Sequence, residues 1–516
     1  MSSTATAREL VSQLVASGVR DVVVCPGSRS APLAYALADA ASAGWLRTHV
    51  RVDERTASFF ALGLAKATAL TDAPRPVAVV TTSGTAVANL HPAVLEASHA
   101  GIPLVVVSAD RPHAWRGTGA NQTTIQTGIF GQSARACVEV PAGADPTALR
   151  GQMARLAAGA LGTLTGDPGP VHLNVGFADP LVPDAPWSLS ASPAPLAVQN
   201  ATAPDPTPLP AGRRTLALAG DAAGADAHAL ATAAGWPLLA EPSSGARLPG
   251  ALAHYVALLA DGLAATAERV VVFGHPTLSR PVSRLLARSD VEIVVVTPTA
   301  RWTDVAGTAA QITRAIAPAA PAASDLAWLH TWQDADAAVA ARFEPSPIQA
   351  AARAVWATDG WLVLGSSNTI RAFDAAAPGA ERATRVVANR GLAGIDGLIS
   401  TAHGLAAGLG VPVRVVLGDL AYLHDVGGLA RGVEEPEVDL QVVVLNDAGG
   451  GIFATLEHGA ADPALFARYF TTPQRLDVVA AARALGATAD RVDVSSLAER
   501  LRAPIVGRSV LDVRMA

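Results

Sequence analysis

The sequence predicts an α/β protein made of three doubly wound parallel-sheet domains in series. Three observations carry that expectation. Short runs that are apolar throughout, such as DVVVCP at 21–26 and PVAVVTT at 76–82, alternate with helix-period segments such as GTAVANLHPAVLEASHA. Strands apolar on both faces and joined by helices belong to parallel sheets covered on both sides. Two stretches rich in Pro and Ala break the alternation, and a chain of 516 residues is too long for one core.

The elements follow in order. The opening MSSTATARELVSQLVASG reads as an amphipathic helix with charges inside it, lacking the apolar core of a signal peptide. DVVVCP, the short strand in THVRV, PVAVVTT, PLVVVSAD at 103–110 and PVHLNVGF at 170–177 are the strands of a first domain, expected over 1–183. PDAPWSLSASPAPLAVQNATAPDPTPLPA follows and reads as a linker over 184–211. TLALAG, PLLAE, RVVVFG and VEIVVVT give a middle domain over 212–322, whose end IAPAAPAASD reads as a second linker. WLVLGSS, VRVVLGDL, LQVVVLND and SVLDVRM give a third domain over 323–516.

Composition prunes the functions. Half of the residues are hydrophobic, 16% are charged and the net charge is −6, so the chain is core-rich and has no basic surface for nucleic acid. No apolar run reaches membrane-spanning length. Two cysteines, Cys25 and Cys137, suit neither a disulfide framework nor a cysteine zinc site, and fit a reducing, cytoplasmic setting. Lys66 is the only lysine; GxxxxGK[ST] and HExxH are both absent, which argues against a P-loop NTPase and a zincin.

Ligands of such sheets sit at the carboxyl ends of strands. There the third domain places Gly418 and Asp419 in VVLGDL, and Asn446 and Asp447 in VVVLNDAGGGIF. Two oxygen donors on consecutive strand ends suit a hard divalent cation, and glycines let backbone N–H groups approach an anion. Mg²⁺ beside a glycine-rich turn implies a diphosphate. In the first domain Glu54 stands at the mouth of an apolar helix, between Asp53 and Arg55. Helix capping is the ordinary role for an acid there.

GD followed by ND and glycines resembles the GDG…NN motif of thiamin-diphosphate-dependent enzymes. The resemblance covers the whole chain and implies a pyrimidine-binding first domain, a middle domain and a diphosphate-binding third domain. CPGSRSAPL, VDERTASFFALGLAK, TTSGTAVANLHPAVLEA, SADRPHAWRGTGANQT, NRGLAGIDG and NDAGGGIF, in that order, are similar to the branch that condenses 2-oxoglutarate with isochorismate in menaquinone biosynthesis. The resemblance implies thiamin diphosphate and Mg²⁺, with Mn²⁺ as an alternative, and a homodimer or dimer of dimers with active sites at the subunit interface. By the same resemblance, Glu54 bonds N1′ of the cofactor's aminopyrimidine. Thr82, Ser83, Gly84, Gly394, Ile395, Gly418, Asp419, Leu420, Asn446, Asp447, Gly449, Gly450, Gly451, Ile452 and Phe453 are the further cofactor positions. Asp419, Asp447 and the Gly449 backbone are the implied metal ligands, with Asn446 as the alternative to Asp447. Ser28, Arg29, Arg111, Asn121, Gln122 and Arg280 are implied on the isochorismate side, and Ser367, Arg371 and Arg390 on the 2-oxoglutarate side. The chain departs from the motif at Leu420, where the family has glycine, and at Asp447, where it often has asparagine; Pro281 stands where some members carry a second basic residue. Another 2-oxo-acid decarboxylase or carboligase, or a non-catalytic homologue, are the rival readings.

Overall fold

The computed structural model describes residues 2–70, 74–189, 191–195, 198, 205–382 and 385–515. Its strands form three main sheets. The first holds β1 (Asp21–Val24), β2 (Arg47–Val50), β3 (Val77–Thr81), β4 (Leu104–Asp110), β5 (Cys137–Val140) and β6 (Val171–Gly176), in the order β2-β1-β3-β4-β6-β5. After β7 (Thr207–Leu209), the second is built from β8 (Thr215–Ala219), β9 (Leu238–Ala240), β10 (Arg269–Phe273), β11 (Glu292–Val296) and β12 (Ala309–Thr313), in the order β12-β11-β10-β8-β9. After β13 (Ile316–Pro318), the third comprises β14 (Trp361–Leu364), β15 (Arg385–Ala388), β16 (Val413–Gly418), β17 (Leu440–Asn446), β18 (Thr488–Asp493) and β19 (Arg508–Arg514), in the order β15-β14-β16-β17-β19-β18. Every pairing in these sheets is parallel. Central strands such as β3, β4 and β17 are buried along their whole length, as their unbroken apolar runs require. Numbered within its own domain, the third sheet repeats the strand order of the first.

The two expected linkers are not free of structure. Thr207–Leu209, within 184–211, pairs in parallel with Ile316–Pro318, within IAPAAPAASD. The pair has only two strands, so Pro208 and Pro318 can lie at edges where no ladder N–H is needed. Positions 190, 196, 197 and 199–204 of the first linker lie outside the described residues. The expected boundary at 322/323 is also corrected. The helix Ala323–Ala340 buries Trp328 and Trp332 in the core of the second sheet with Leu216 and Val272. The Asp325 carboxylate accepts the Gly212 N–H at 2.9 Å, which ties the helix to the start of that layer.

The outer domains meet along two helices, Glu54–Ala69 and Leu398–Leu409. Each follows the second strand of its own sheet. A Cβ on Gly63 would collide with the Thr401 carbonyl, and one on Gly404 with the Phe60 carbonyl. The contact is reciprocal: each glycine lets the other helix's backbone approach more closely than any side chain would permit.

Candidate active site

The first half of the site lies at the carboxyl ends of β1 to β4. Gly27 in CPGSRS packs against the Thr82 side chain, so the turns after β1 and β3 nest together. Arg29 is buried; its Nη1 donates to the Phe177 carbonyl at 2.9 Å, while Nε has no partner. Asp179 stands 3.8 Å away and the Trp115 ring 5.5 Å from the guanidinium carbon. Burial, and then repulsion from Arg111, lower the Arg29 pKa, so these two guanidiniums are neighbours. Arg111 donates Nε and Nη2 to the Asn121 carbonyl at 3.2 and 3.1 Å. Gln122, with φ of 56°, donates to the Ser83 carbonyl at 2.8 Å and accepts the Ser83 hydroxyl on its own carbonyl at 2.9 Å. The Gly84 N–H is taken by Gln126. Ser28 is exposed at the tip of its turn.

Glu54 opens its helix, but Asp53 is the N-cap and accepts the N–H groups of Arg55 and Thr56 at 2.9 and 3.5 Å. Capping is therefore done by the neighbour. The half-buried Glu54 carboxylate accepts one side-chain hydrogen bond, from Asn89 Nδ2 at 3.3 Å.

The second half lies at the carboxyl ends of β14 to β17. Asp419 is buried, and its pKa is pushed up to about 6 by desolvation first and then by Asp447. Burial raises Asp447 as well, and the Gly449 backbone opposes the rise at both carboxyls. The Leu420 N–H donates to Asp419 Oδ1 at 2.9 Å. Two carboxylates that repel each other in a partly dry turn are completed by a cation. The turn leaves no room for side chains: a Cβ on Gly449 would meet the Thr471 carbonyl, on Gly450 the Phe470 carbonyl, and on Gly451 the Asp447 carboxylate. These acids and glycines fit a metal-bound diphosphate. Asn446 is engaged elsewhere, since Nδ2 donates to Asp512 at 2.7 Å and Oδ1 accepts the Ala448 N–H at 3.1 Å. Ile395 packs against the third-domain core, one residue after Gly394. Ile452 and Phe453 are half-buried in a short 3₁₀ turn, with the Phe453 ring 5.7 Å from that of Phe470.

Ser367 caps the helix Asn368–Ala376 with φ of 82°, a conformation that costs a non-glycine residue energy and marks functional turns. Arg371 Nη1 donates to its carbonyl at 2.7 Å. Arg390 is buried, donates Nη2 to Thr277 at 3.2 Å and leaves Nε without a partner. The two arginines are neighbours, because Arg390 lowers the Arg371 pKa after the larger effect of desolvation. Among the described residues neither has a carboxylate within ion-pair distance. Arg280 differs: it sits at the head of the helix Arg280–Leu286, exposed, and both its terminal nitrogens pair with Glu457, at 2.8 and 3.2 Å. The structure thus sets Arg280 against the 457–460 turn. Asn89 and Thr277, which hold Glu54 and Arg390, were missed from the sequence. Asn89 stood inside a quoted motif, while Thr277 comes from a different domain and carries no local signal.

Acids and glycines for a metal diphosphate in one sheet, and a freed glutamate in the other, define the class of thiamin-diphosphate-dependent enzymes. Residues 4–129 match the family described as thiamine pyrophosphate enzyme, N-terminal TPP binding domain. The chain is 51% identical to a 2-succinyl-5-enolpyruvyl-6-hydroxy-3-cyclohexene-1-carboxylate synthase of Kineococcus radiotolerans, over 95% of this chain and 91% of that one. It is 47% identical to the synthase of the same name from a Nocardioides species, over 99% and 95%. With that of Paenarthrobacter aurescens it shares 45%, over 100% and 94%. The chain belongs to the 2-succinyl-5-enolpyruvyl-6-hydroxy-3-cyclohexene-1-carboxylate synthase family of thiamin-diphosphate-dependent transferases. No helix among the described residues is long and apolar enough to cross a membrane.

Proposed function

We propose that this chain removes CO₂ from 2-oxoglutarate and adds the remaining succinyl unit to isochorismate, forming 2-succinyl-5-enolpyruvyl-6-hydroxy-3-cyclohexene-1-carboxylate as a cytoplasmic step of menaquinone synthesis. The observation that carries this reading is the presence of two arginine pairs, one in each half of the site. Among the described residues Arg371 and Arg390 have no carboxylate within ion-pair distance, and the Asp179 carboxylate stands 3.8 Å from Arg29. Guanidiniums held this way are matched to carboxylates. Both proposed substrates are dicarboxylates, and pyruvate would leave one pair idle.

Asp419, Asp447 and the backbone at Gly449 would hold Mg²⁺ or Mn²⁺ and through it the diphosphate, with the glycine turn lying against the phosphate oxygens. The engagement of Asn446 with Asp512 and Ala448 favours Asp447 as the second ligand. Bound there, thiamin diphosphate supplies the electron sink that lets a 2-oxo acid lose CO₂. Glu54, freed from capping by Asp53, would hydrogen-bond the pyrimidine. Arg371 and Arg390 bind the carboxylates of 2-oxoglutarate. Arg29 and Arg111, with Ser28 and Gln122, orient isochorismate and offset the repulsion between the two anions. A second copy of the chain would complete the site. The exposed Val50, Val52, Leu423 and Val433 around the head of the Glu54 helix support a homodimer.

The test is mass spectrometry of the products formed from 2-oxoglutarate and isochorismate with thiamin diphosphate and Mg²⁺. The expected product contains both skeletons less one CO₂. Turnover of pyruvate in place of 2-oxoglutarate, with isochorismate left unused, would overturn the reading.

A further inference from the structure

The segment that carries Arg390 leaves β15 and passes against the first domain, which grips it at three places. Lys66 Nζ donates to the Ala388 carbonyl at 2.9 Å. Glu96 Oε1 accepts the Gly391 N–H at 2.8 Å, and Oε2 accepts the Leu392 N–H at 2.7 Å. Glu96 is 4% exposed and Lys66 8%. Among the described residues Glu96 has no cation at ion-pair distance, so a buried carboxylate is spent on two neutral backbone donors. Burying a charge is costly, but an apolar side chain in its place would leave the Gly391 and Leu392 N–H groups unpaired, so the carboxylate fixes both. Two successive N–H groups fixed on one carboxylate set the backbone on the C-terminal side of Arg390, and the Lys66 bond sets it on the other. What remains free is the guanidinium, tethered at Nη2 to Thr277 and open at Nε.

We propose that Glu96, assisted by Lys66, is a positioning residue for 2-oxoglutarate: reaching across from the pyrimidine-binding domain, it fixes the backbone that aims Arg390 at a substrate carboxylate. This rests on the reading of Arg390 as a contact for 2-oxoglutarate. Glu96 is the penultimate residue of the motif TTSGTAVANLHPAVLEA, and the cofactor roles of its first residues leave that glutamate unexplained. Glutamine at 96 keeps one acceptor but presents an N–H₂ to the other amide, so the variant keeps the shape and loses half the grip.

The test uses the holoenzyme and the variants Glu96→Gln, Lys66→Met, Arg390→Ala and the double variant Glu96→Gln/Arg390→Ala. Steady-state kinetics are measured with each substrate varied. Glu96→Gln is expected to raise the KM for 2-oxoglutarate about tenfold, the usual effect of losing one charge-assisted hydrogen bond, and to change the KM for isochorismate less than about twofold. Lys66→Met should act in the same direction but less. In the double variant, Glu96→Gln should add nothing to Arg390→Ala, because a positioning residue has no effect once its target is gone. Faster amide hydrogen exchange over 388–395 in Glu96→Gln is the matching structural readout. Multiplicative effects in the double variant, an equal rise in both KM values, or unchanged exchange would each overturn the role of Glu96 while leaving Arg390 in place. A normal KM for 2-oxoglutarate in Arg390→Ala would overturn the reading of Arg390 and the proposal with it.

Discussion

The first and third sheets have the same strand order and opposite electrostatics at their carboxyl ends. The first gathers cations: Arg29 and Arg111 lie side by side, tethered to backbone carbonyls, near a single glutamate that a neighbouring aspartate has relieved of capping. The third gathers acids, Asp419 and Asp447, in a turn stripped of side chains after β16 and β17, and sets its arginines after β14 and β15. One topology offers the same row of strand ends twice, and what each row binds is decided by a few turn residues. A proton partner needs a lone carboxylate free of competitors. A metal site needs two carboxylates that are unfavourable until the metal arrives.

Four measurements would break or sharpen that contrast. The largest effect is expected at Glu54. Glu54→Gln should lower turnover by about 10²–10⁴-fold, the range of a lost proton partner, with cofactor affinity and unfolding midpoint unchanged. A comparable loss of cofactor affinity would mean that Glu54 belongs to binding, as the third-sheet acids do. Next is Asp419→Ala, which should weaken Mg²⁺-dependent binding of thiamin diphosphate by at least on the order of 100-fold in calorimetry. Undiminished affinity would remove the acid pair from the metal. The arginines come third, at about ten- to hundred-fold in kcat/KM for each lost charge-assisted pair. Arg29→Ala should act on isochorismate and spare CO₂ release from 2-oxoglutarate alone, while Arg371→Ala should act on 2-oxoglutarate. Equal effects on both substrates would erase the division between the halves.

The smallest effect is on stability. Burial first, and then Asp374, push the Glu241 pKa up to about 8. The folded chain therefore keeps a proton that the unfolded chain releases, and stability falls as pH rises from the ordinary glutamate value of about 4.5 towards 8, levelling off above. In the first sheet the sign reverses. Burial lowers His172 to about 4, so its contribution is lost as pH falls from 6.5 towards 4. The stability of Glu241→Gln should vary less with pH than that of wild type between about 4.5 and 8; an unchanged slope across that window would show that Glu241 takes up no extra proton on folding.

The fold class and the central strands were legible because a buried parallel strand needs a continuous apolar run, and β3, β4, β10 and β17, buried along their whole length, each carry one. What escaped was what lies at edges. β18 buries only Ala489 and Val492 of TADRVD, β5 is only partly buried in CVEV, and β7 and β13 contain proline. Composition alone reads such segments as loops. The helix Ala323–Ala340 follows a proline-rich stretch and looks like the start of a new domain; only Trp328 and Trp332, seated in the second core, show where it belongs. For the site, each turn with unusual composition, from CPGSRS to NDAGGGIF, does lie at a strand's carboxyl end. Pairings such as Glu54 with Asn89, Arg390 with Thr277 and Arg280 with Glu457 join distant parts of the chain and have no local signature.

The crossing of the Glu54 and Leu398 helices has a consequence for how this chain can change over generations. At Gly63 and at Gly404 the obstacle to a side chain is the partner helix's main chain, not a neighbouring side chain. No second substitution can make room for a methyl group there, because every residue carries the same carbonyl. The only relief is to part the helices, which would move Glu54, at the head of one, against the segment bearing Gly394 and Ile395, at the head of the other. Most core positions can drift if a neighbour drifts with them; these two cannot be rescued by compensation, and each has one acceptable letter for as long as the two domains are clasped this way.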